Sequence, residues 1–215
     1  MRAMILSAGE GRRMRPLTET TPKPLLRVGG KPLIEWHIDR LRGAGFREIV
    51  INIAYLGHKI VNYLGDGSRF GVDIIYSDEQ SEGGLETAGG IVKALPLLGD
   101  SFLVVNGDIW TDYIFDIDFQ LREDMLAKII LVDNPPHNPD GDFMFQKLNR
   151  RLTFAGVGYY SSEMFKNIEY GKRRLAPLLF KAQDECRLEM EYFQGEWFDI
   201  GTVERLNSIN SLIEN

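Results

Sequence analysis

A run of glycines and arginines near the N-terminus, Ser7-Ala8-Gly9-Glu10-Gly11-Arg12-Arg13-Met14-Arg15-Pro16-Leu17-Thr18, has the composition of a loop that holds phosphate. Glycines let backbone N–H groups approach phosphate oxygens closely, and guanidinium groups add charge-assisted hydrogen bonds. It is neither of two common phosphate loops. A Walker loop would end in Gly-Lys followed by Ser or Thr, and a dinucleotide fingerprint would need a glycine where Met14 stands. Pro16 also follows too soon for a helix to open in the dinucleotide manner. In Thr21-Pro22-Lys23-Pro24-Leu25, prolines on both sides restrict the backbone around Lys23, so its ammonium is placed in advance at small entropic cost. Asp108 closes the apolar run Phe102-Leu103-Val104-Val105-Asn106-Gly107. A hard divalent ion such as Mg²⁺ takes oxygen ligands and keeps substrate phosphates as further ligands, so one or two protein carboxylates suffice.

Charge separates a local anion site from a general one. The chain of 215 residues carries a net charge of −6, which argues against a broad nucleic-acid surface. Residues 11–27 hold five cations against Glu19 and so stand at +4, leaving −10 for the remainder. Hydrophobic residues make up 44%, enough for one continuous core and against disorder. No apolar run is long enough to cross a bilayer and Met1 to Ser7 lacks a signal-peptide pattern, so a cytoplasmic location is expected. Cys186 stands alone, which excludes an intrachain disulfide. Asp116-Ile117-Asp118 and Asp140-Gly141-Asp142 both match the Asp-x-Asp of glycosyltransferases, but neither closely follows a buried strand. The first alternates with Phe115, Ile117 and Phe119 as an amphipathic surface segment does. His37, His58 and His137 lack metal or triad spacing and read as surface or helix-face residues, while Trp36 and Trp110 read as packing groups.

The elements that must position these groups read as one α/β domain, 1–215, with no repeat or linker. Apolar strands at Ala3–Leu6, Ile49–Ile53, Val72–Tyr76 and Phe102–Val105 alternate with helices marked by Ile34/Ile38/Leu41, by His58–Leu64 and by Ala88–Leu95. Strands without a polar face, alternating with helices, imply a mainly parallel Rossmann-like sheet covered on both sides. The second half reads as strands at Ile129–Val132 and Thr153–Tyr160 and helices at Leu175–Ala182 and Thr202–Ile213, with some antiparallel pairing. Such sheets bind ligands beyond the carboxyl ends of their strands, which is where the glycine loop and Asp108 fall.

The glycine loop and the Lys23 string, in this order and spacing, resemble the signature of the sugar-1-phosphate nucleotidyltransferases, whose fold is the nucleotide-diphospho-sugar transferase type. The resemblance implies that Ala8, Gly9, Gly11, Arg12 and Arg13 cradle a triphosphate, with Lys23, Glu86 and Gly89 as further nucleotide contacts. Arg15, Lys23 and Asp108 are the implied catalytic groups. Trp197-Phe198-Asp199-Ile200-Gly201-Thr202 resembles a late segment of the family and makes Asp199 the second Mg²⁺ ligand beside Asp108. Asn106, Asp142 and Gly156 are the expected sugar contacts. Leu64–Gly71, Leu85–Gly90, Lys93–Asp100 and Val105–Asp112 resemble the short, single-domain uridylyltransferases of cell-wall recycling that act on N-acetylmuramate 1-phosphate. UTP and a sugar 1-phosphate are therefore the expected partners, in a monomer or small homo-oligomer with no membrane or nucleic-acid partner.

Two departures from the wider family stand out. Glu79 to Gly90 lacks the Gln-Pro-x-Gly-Leu-Ala pattern of many uridylyl- and thymidylyltransferases, and Thr87-Ala88-Gly89 is similar to guanylyltransferases that use mannose 1-phosphate. The Glu-Lys-Pro element with which larger relatives grip sugar phosphate is missing. A guanylyltransferase, a glycosyltransferase working through Asp116 and Asp118, and a catalytically silent nucleotide-sugar sensor remain the alternatives.

Overall fold

The computed structural model of the chain describes residues 1–213; Glu214 and Asn215, the end of the expected 1–215 span, lie outside the described residues. Twelve strands occur among these residues: β1 (Arg2–Leu6), β2 (Arg27–Val28), β3 (Lys31–Pro32), β4 (Glu48–Ile53), β5 (Asp73–Asp78), β6 (Ser101–Asn106), β7 (Ile109–Thr111), β8 (Ala127–Val132), β9 (Phe143–Phe145), β10 (Arg150–Ser161), β11 (Leu188–Tyr192) and β12 (Trp197–Asp199). The helices are α1 (Leu17–Thr20), α2 (Leu33–Gly43), α3 (Gly57–Leu64), α4 (Glu86–Leu98), α5 (Ala176–Asp184) and α6 (Val203–Ile213).

The main sheet runs β11-β8-β10-β6-β1-β4-β5, with β9 added beside β10. β1 is parallel to both β4 and β6, and β4 to β5, while β10 runs antiparallel between β6 and β8. The predicted mainly parallel α/β sheet is therefore present. Its alternation is visible in β1: Ala3 and Ile5 join the core under α2 and α3, and Met4 joins the core under α4 and α5. Each fully buried aliphatic side chain of this kind adds about 1.5–3 kcal/mol, so burial on both faces holds these short strands in register.

A third, smaller cluster forms off the sheet. Met14, Val28 and Leu33 pack with Ile200, Leu206 and Ile209, which brings α6 against the β2–β3 hairpin and fixes the C-terminal segment beside the glycine loop. Trp36 and Trp110 meet edge to face at 5.7 Å in this region, as packing groups.

The structure extends several predicted elements. The strand read at Val72–Tyr76 lies at Asp73–Asp78, and the helix read to Leu95 continues through Pro96 to Leu98. β10 is longer than Thr153–Tyr160 because a register shift between Phe154 and Gly158 lets one strand pair first with β9 and β8, then with β6. β11 was missed in the sequence because Leu188-Glu189-Met190-Glu191-Tyr192 has polar residues on one side; it is a half-buried edge strand. The segment around Asp116 alternates in burial as expected but forms no strand. His37 lies on the inner face of α2 and is buried, and burial pushes it down to about 4, so it stays neutral.

Candidate active site

β1 and β6 are adjacent, and the chain order reverses at β1, so their carboxyl ends open onto a crevice. A cleft of about 500 Å³ lies there. The loop after β1 forms one side of it. Gly11 takes φ +62, and a Cβ at this position would meet the Thr18 methyl at 2.9 Å. Thr18 Oγ1 donates to the Gly11 carbonyl at 2.8 Å, as does Met14 N–H at 2.8 Å, which leaves the Gly9–Gly11 turn open toward the cleft. Arg12 pairs with Glu10 at 2.5 Å, and this hydrogen bond holds the Glu10 carboxyl below its ordinary range. Arg13 has no ion-pair partner among the described residues and lines the cleft as a free cation.

Lys23, which sits in a short 3₁₀ turn between Pro22 and Leu26, is only 8% exposed and donates to Asp108 Oδ2 at 2.7 Å. The β7–β12 ladder places Asp199 opposite Ile109, and Ile200 N–H donates to the Asp108 carbonyl at 2.9 Å. The two carboxylates that sequence separates by ninety-one positions thus belong to one small hairpin-like pair. Asp199 Oδ2 accepts from Arg205 Nη1 at 2.8 Å and lies 3.0 Å from His137 Nε2. Asp199 Oδ1 is buried without a hydrogen-bond partner. Among the described residues no cluster of three or more His, Cys, Asp or Glu could hold a metal by itself. Two hard oxygen donors, one with an oxygen buried and unpartnered, fit instead an ion that takes its remaining ligands from a substrate.

Of the predicted site residues, Ala8, Gly9, Gly11, Arg12, Arg13 and Glu86 line the cleft. So do Lys23, Asn106 and Asp108. The others, Asp199 among them, stand outside its lining. Arg15 is exposed just beyond the Arg12–Met14 turn. Gly89 is buried in α4, where its missing side chain admits the Gly171 backbone. Asp142 accepts from Asn138 Nδ2 at 3.0 Å and from Phe154 N–H at 2.8 Å, tying the loop before β9 to β10. Gly156, at φ +76 in the irregular part of β10, lies behind Asn106, whose Nδ2 a Cβ would meet at 2.7 Å.

Sequence reasoning passed over several groups in the cleft. Asn52 and Glu79 lie in its floor, and their position at the ends of β4 and β5 was a usable signal. Burial raises the Glu79 carboxyl, opposed by hydrogen bonds from Asn52 and Leu85. Lys172 contributes an exposed cation from the loop before α5, which docks on α4 through Ala88 N–H and Gly89 N–H to the Arg173 carbonyl. No local pattern announced it. Ser7 Oγ, buried and without a hydrogen-bond partner, also lines the cleft.

The family profile described as nucleotidyl transferase matches residues 2–143. The chain is 55% identical to an N-acetylmuramate alpha-1-phosphate uridylyltransferase of Neisseria meningitidis serogroup B, across 99% of this chain and 98% of that one. It is 29% identical to a mannose-1-phosphate guanylyltransferase catalytic subunit beta of Danio rerio, over 94% of this chain and 61% of that protein. A CTP:phosphocholine cytidylyltransferase from Streptococcus pneumoniae has the same fold, with a TM-score of 0.76 at 21% identity, covering 99% of this chain and 98% of the other. Matched by the family profile over residues 2–143 and 55% identical to a relative across nearly the whole of both chains, the chain belongs to the nucleotidyl transferase family.

Proposed function

We propose that the protein transfers the uridylyl group of UTP to N-acetylmuramate 1-phosphate, with Mg²⁺, giving the UDP-sugar and pyrophosphate in cytoplasmic cell-wall recycling. The observation that carries the reading is full-length identity of 55% to a protein of that activity, joined to a cleft whose Lys23–Asp108 pair stands where phosphates would enter.

An oxygen of the sugar 1-phosphate attacks the α-phosphorus in line; the new P–O bond forms as the α–β bridge bond breaks, and pyrophosphate leaves. The nucleophile is already ionised at neutral pH, so no general base is needed, and the obstacle is bringing two polyanions together. Amides of Gly9 and Gly11, with Arg12 and Arg13, hold the triphosphate. Lys23 turns from Asp108 to the α-phosphate and neutralises charge as it develops. Asp108 and Asp199 would hold Mg²⁺, which would supply positive charge against the phosphates. Arg15 supports the loop's positive field from outside the cleft. Asn106, backed by Gly156, faces the sugar, and Lys172 supplies a cation in a chain without the Glu-Lys-Pro element.

A panel of nucleoside triphosphates against sugar 1-phosphates, with pyrophosphate detection and mass analysis of products, tests the reading. UTP with N-acetylmuramate 1-phosphate is expected to react fastest. Preference for GTP with mannose 1-phosphate would move the assignment to the guanylyltransferases, and failure to consume any triphosphate in the presence of Mg²⁺ would overturn it.

A further inference from the structure

Beneath the cleft, one buried side-chain pair joins the phosphate loop to the loop that faces it across β4. Ser7 N–H donates to Asn52 Oδ1 at 2.7 Å, Asn52 Nδ2 donates to Glu79 Oε1 at 2.7 Å, and Leu85 N–H donates to Glu79 Oε2 at 2.8 Å. Asn52 is 3% exposed and Glu79 0%. α4 is shaped around them: a Cβ on Gly90 would stand 2.6 Å from Glu79 Oε1 and 2.9 Å from Asn52 Nδ2. Each bond in this relay has a fixed direction. Both Glu79 oxygens accept from N–H donors, which favours the carboxylate against the burial that raises it, and the Asn52 amide presents its oxygen to Ser7 and its nitrogen to Glu79. A buried carboxylate with no direct ion pair is a costly way to fill space, and an apolar residue would pack there more cheaply.

From this geometry we infer that Asn52 and Glu79 are positioning residues that couple recognition of the base to placement of the triphosphate. The inference rests on the proposed nucleotide-transfer reading and goes beyond it, because neither side chain touches the reacting atoms. Gly83, Gly84 and Leu85 line the same cleft as the glycine loop, on the far side of Asn52. A base that seats poorly against them displaces Leu85 N–H, and through Glu79 and Asn52 it displaces Ser7, where the phosphate loop begins. Base selectivity is then expressed as phosphate placement rather than as affinity alone.

The direction of the bonds supplies the test. Glu79→Gln offers one oxygen and one NH₂ to two donors, which leaves a donor facing a donor. Asn52→Asp sets a carboxylate against a carboxylate. The double variant N52D/E79Q reverses the central bond: the new carboxylate accepts from Ser7 N–H and from the new amide, whose oxygen accepts from Leu85 N–H. Each single variant should raise KM for UTP by about 10–100-fold, the cost of an unsatisfied buried group, and reduce the preference for UTP over CTP. KM for the sugar phosphate should stay within about threefold, and the double variant should return KM for UTP to within about fivefold of wild type.

A double variant no better than the worse single one, or single variants that melt earlier with unchanged KM and base preference, would overturn the coupling. Should a variant fail to fold, amide hydrogen exchange on wild-type protein decides the matter. Uridine alone should slow exchange in Ser7–Gly11, and tripolyphosphate alone should slow it in Gly83–Leu85. Protection confined to the loop that each probe touches refutes the inference. Wild-type protein that releases no pyrophosphate from any triphosphate would instead defeat the nucleotide-transfer reading, and the exchange result would still stand by itself.

Discussion

The two walls of the cleft are built from different kinds of interaction. On the wall that the proposed function gives to the nucleotide, Ser7, Asn52 and Glu79 are buried and joined by directed hydrogen bonds, with Ser7 Oγ alone left without a partner in this group. On the proposed catalytic wall, Asp108 lines the cleft paired with Lys23, while Asp199, held by Arg205 and His137, stands beside Asp108 outside the cleft lining. The first arrangement is rigid, because breaking any bond strands a buried polar group. The second is exchangeable, because each charge has a resident partner whose place an incoming phosphate or cation takes, so that no buried charge is left unpaired. A preformed wall fixes the ligand's position, and an exchangeable wall answers the charge the ligand brings.

The largest effect should come from the catalytic wall. Asp108→Asn keeps the shape but removes the charge, and kcat should fall by about two to three orders of magnitude with little change in melting temperature. Pyrophosphate release near the wild-type rate would show that Asp108 is scaffold rather than a working group. Lys23→Ala should lower kcat by about 100-fold. It should also strengthen binding of Mn²⁺ to nucleotide-free protein by about two- to fivefold, since Asp108 loses its resident cation. Unchanged or weaker Mn²⁺ binding in a calorimetric titration would contradict the idea that this pair is exchangeable.

One substitution made on each wall sharpens the contrast. Gly90→Ala drives a methyl into the Glu79–Asn52 pair inside α4, and overpacking of about 1–3 kcal/mol should lower the melting temperature by about 3–10 °C. Gly201→Ala meets the far end of the flexible Arg205 side chain, which can move, and its new Cβ stands 2.9 Å from Asp199 Oδ1. Its melting temperature should change by less than about 3 °C, while turnover falls by about tenfold as Arg205 is pushed off Asp199. Equal melting shifts in the two proteins would erase the distinction between the walls.

The smallest effect concerns acid. Hydrogen bonds from Lys93, Ser81 and Tyr170 hold the Glu82 carboxyl well down, to about 2, below its ordinary 4.5. Its stabilising contribution is present above the unfolded value and lost as pH falls from about 4.5 toward 2. Glu82→Gln should therefore flatten the decline of melting temperature across that window, and a decline as steep as in wild type would show these bonds to be inconsequential.

Much of the site was legible in local sequence because its chemistry is local. The glycine loop, Lys23 between its prolines and Asp108 at a strand end each announce themselves within a dozen residues, and a strand end in a parallel sheet is a cleft position by geometry. Arg15 belongs to the same loop motif, and Gly89, Asp142, Gly156 and Asp199 were read from other segments, yet all five stand outside the cleft lining, because motif membership does not settle which way a residue faces. Lys172 reaches the cleft only because its loop docks on the first turn of α4, where Ala88 meets Arg173 across eighty-five positions of sequence.

The residue order alone determined the alternation of buried strands and helices, and with it the parallel half of the sheet and the glycine loop at its carboxyl edge, since period and turn chemistry act over a few positions. Tertiary structure decided what pairs across distance: β10 turned against its neighbours, Asp199 brought beside Asp108 by the β7–β12 ladder, and Ser7 tied through Asn52 and Glu79 to Leu85. Those choices depend on which polar groups are buried together, and burial is a property of the packed chain.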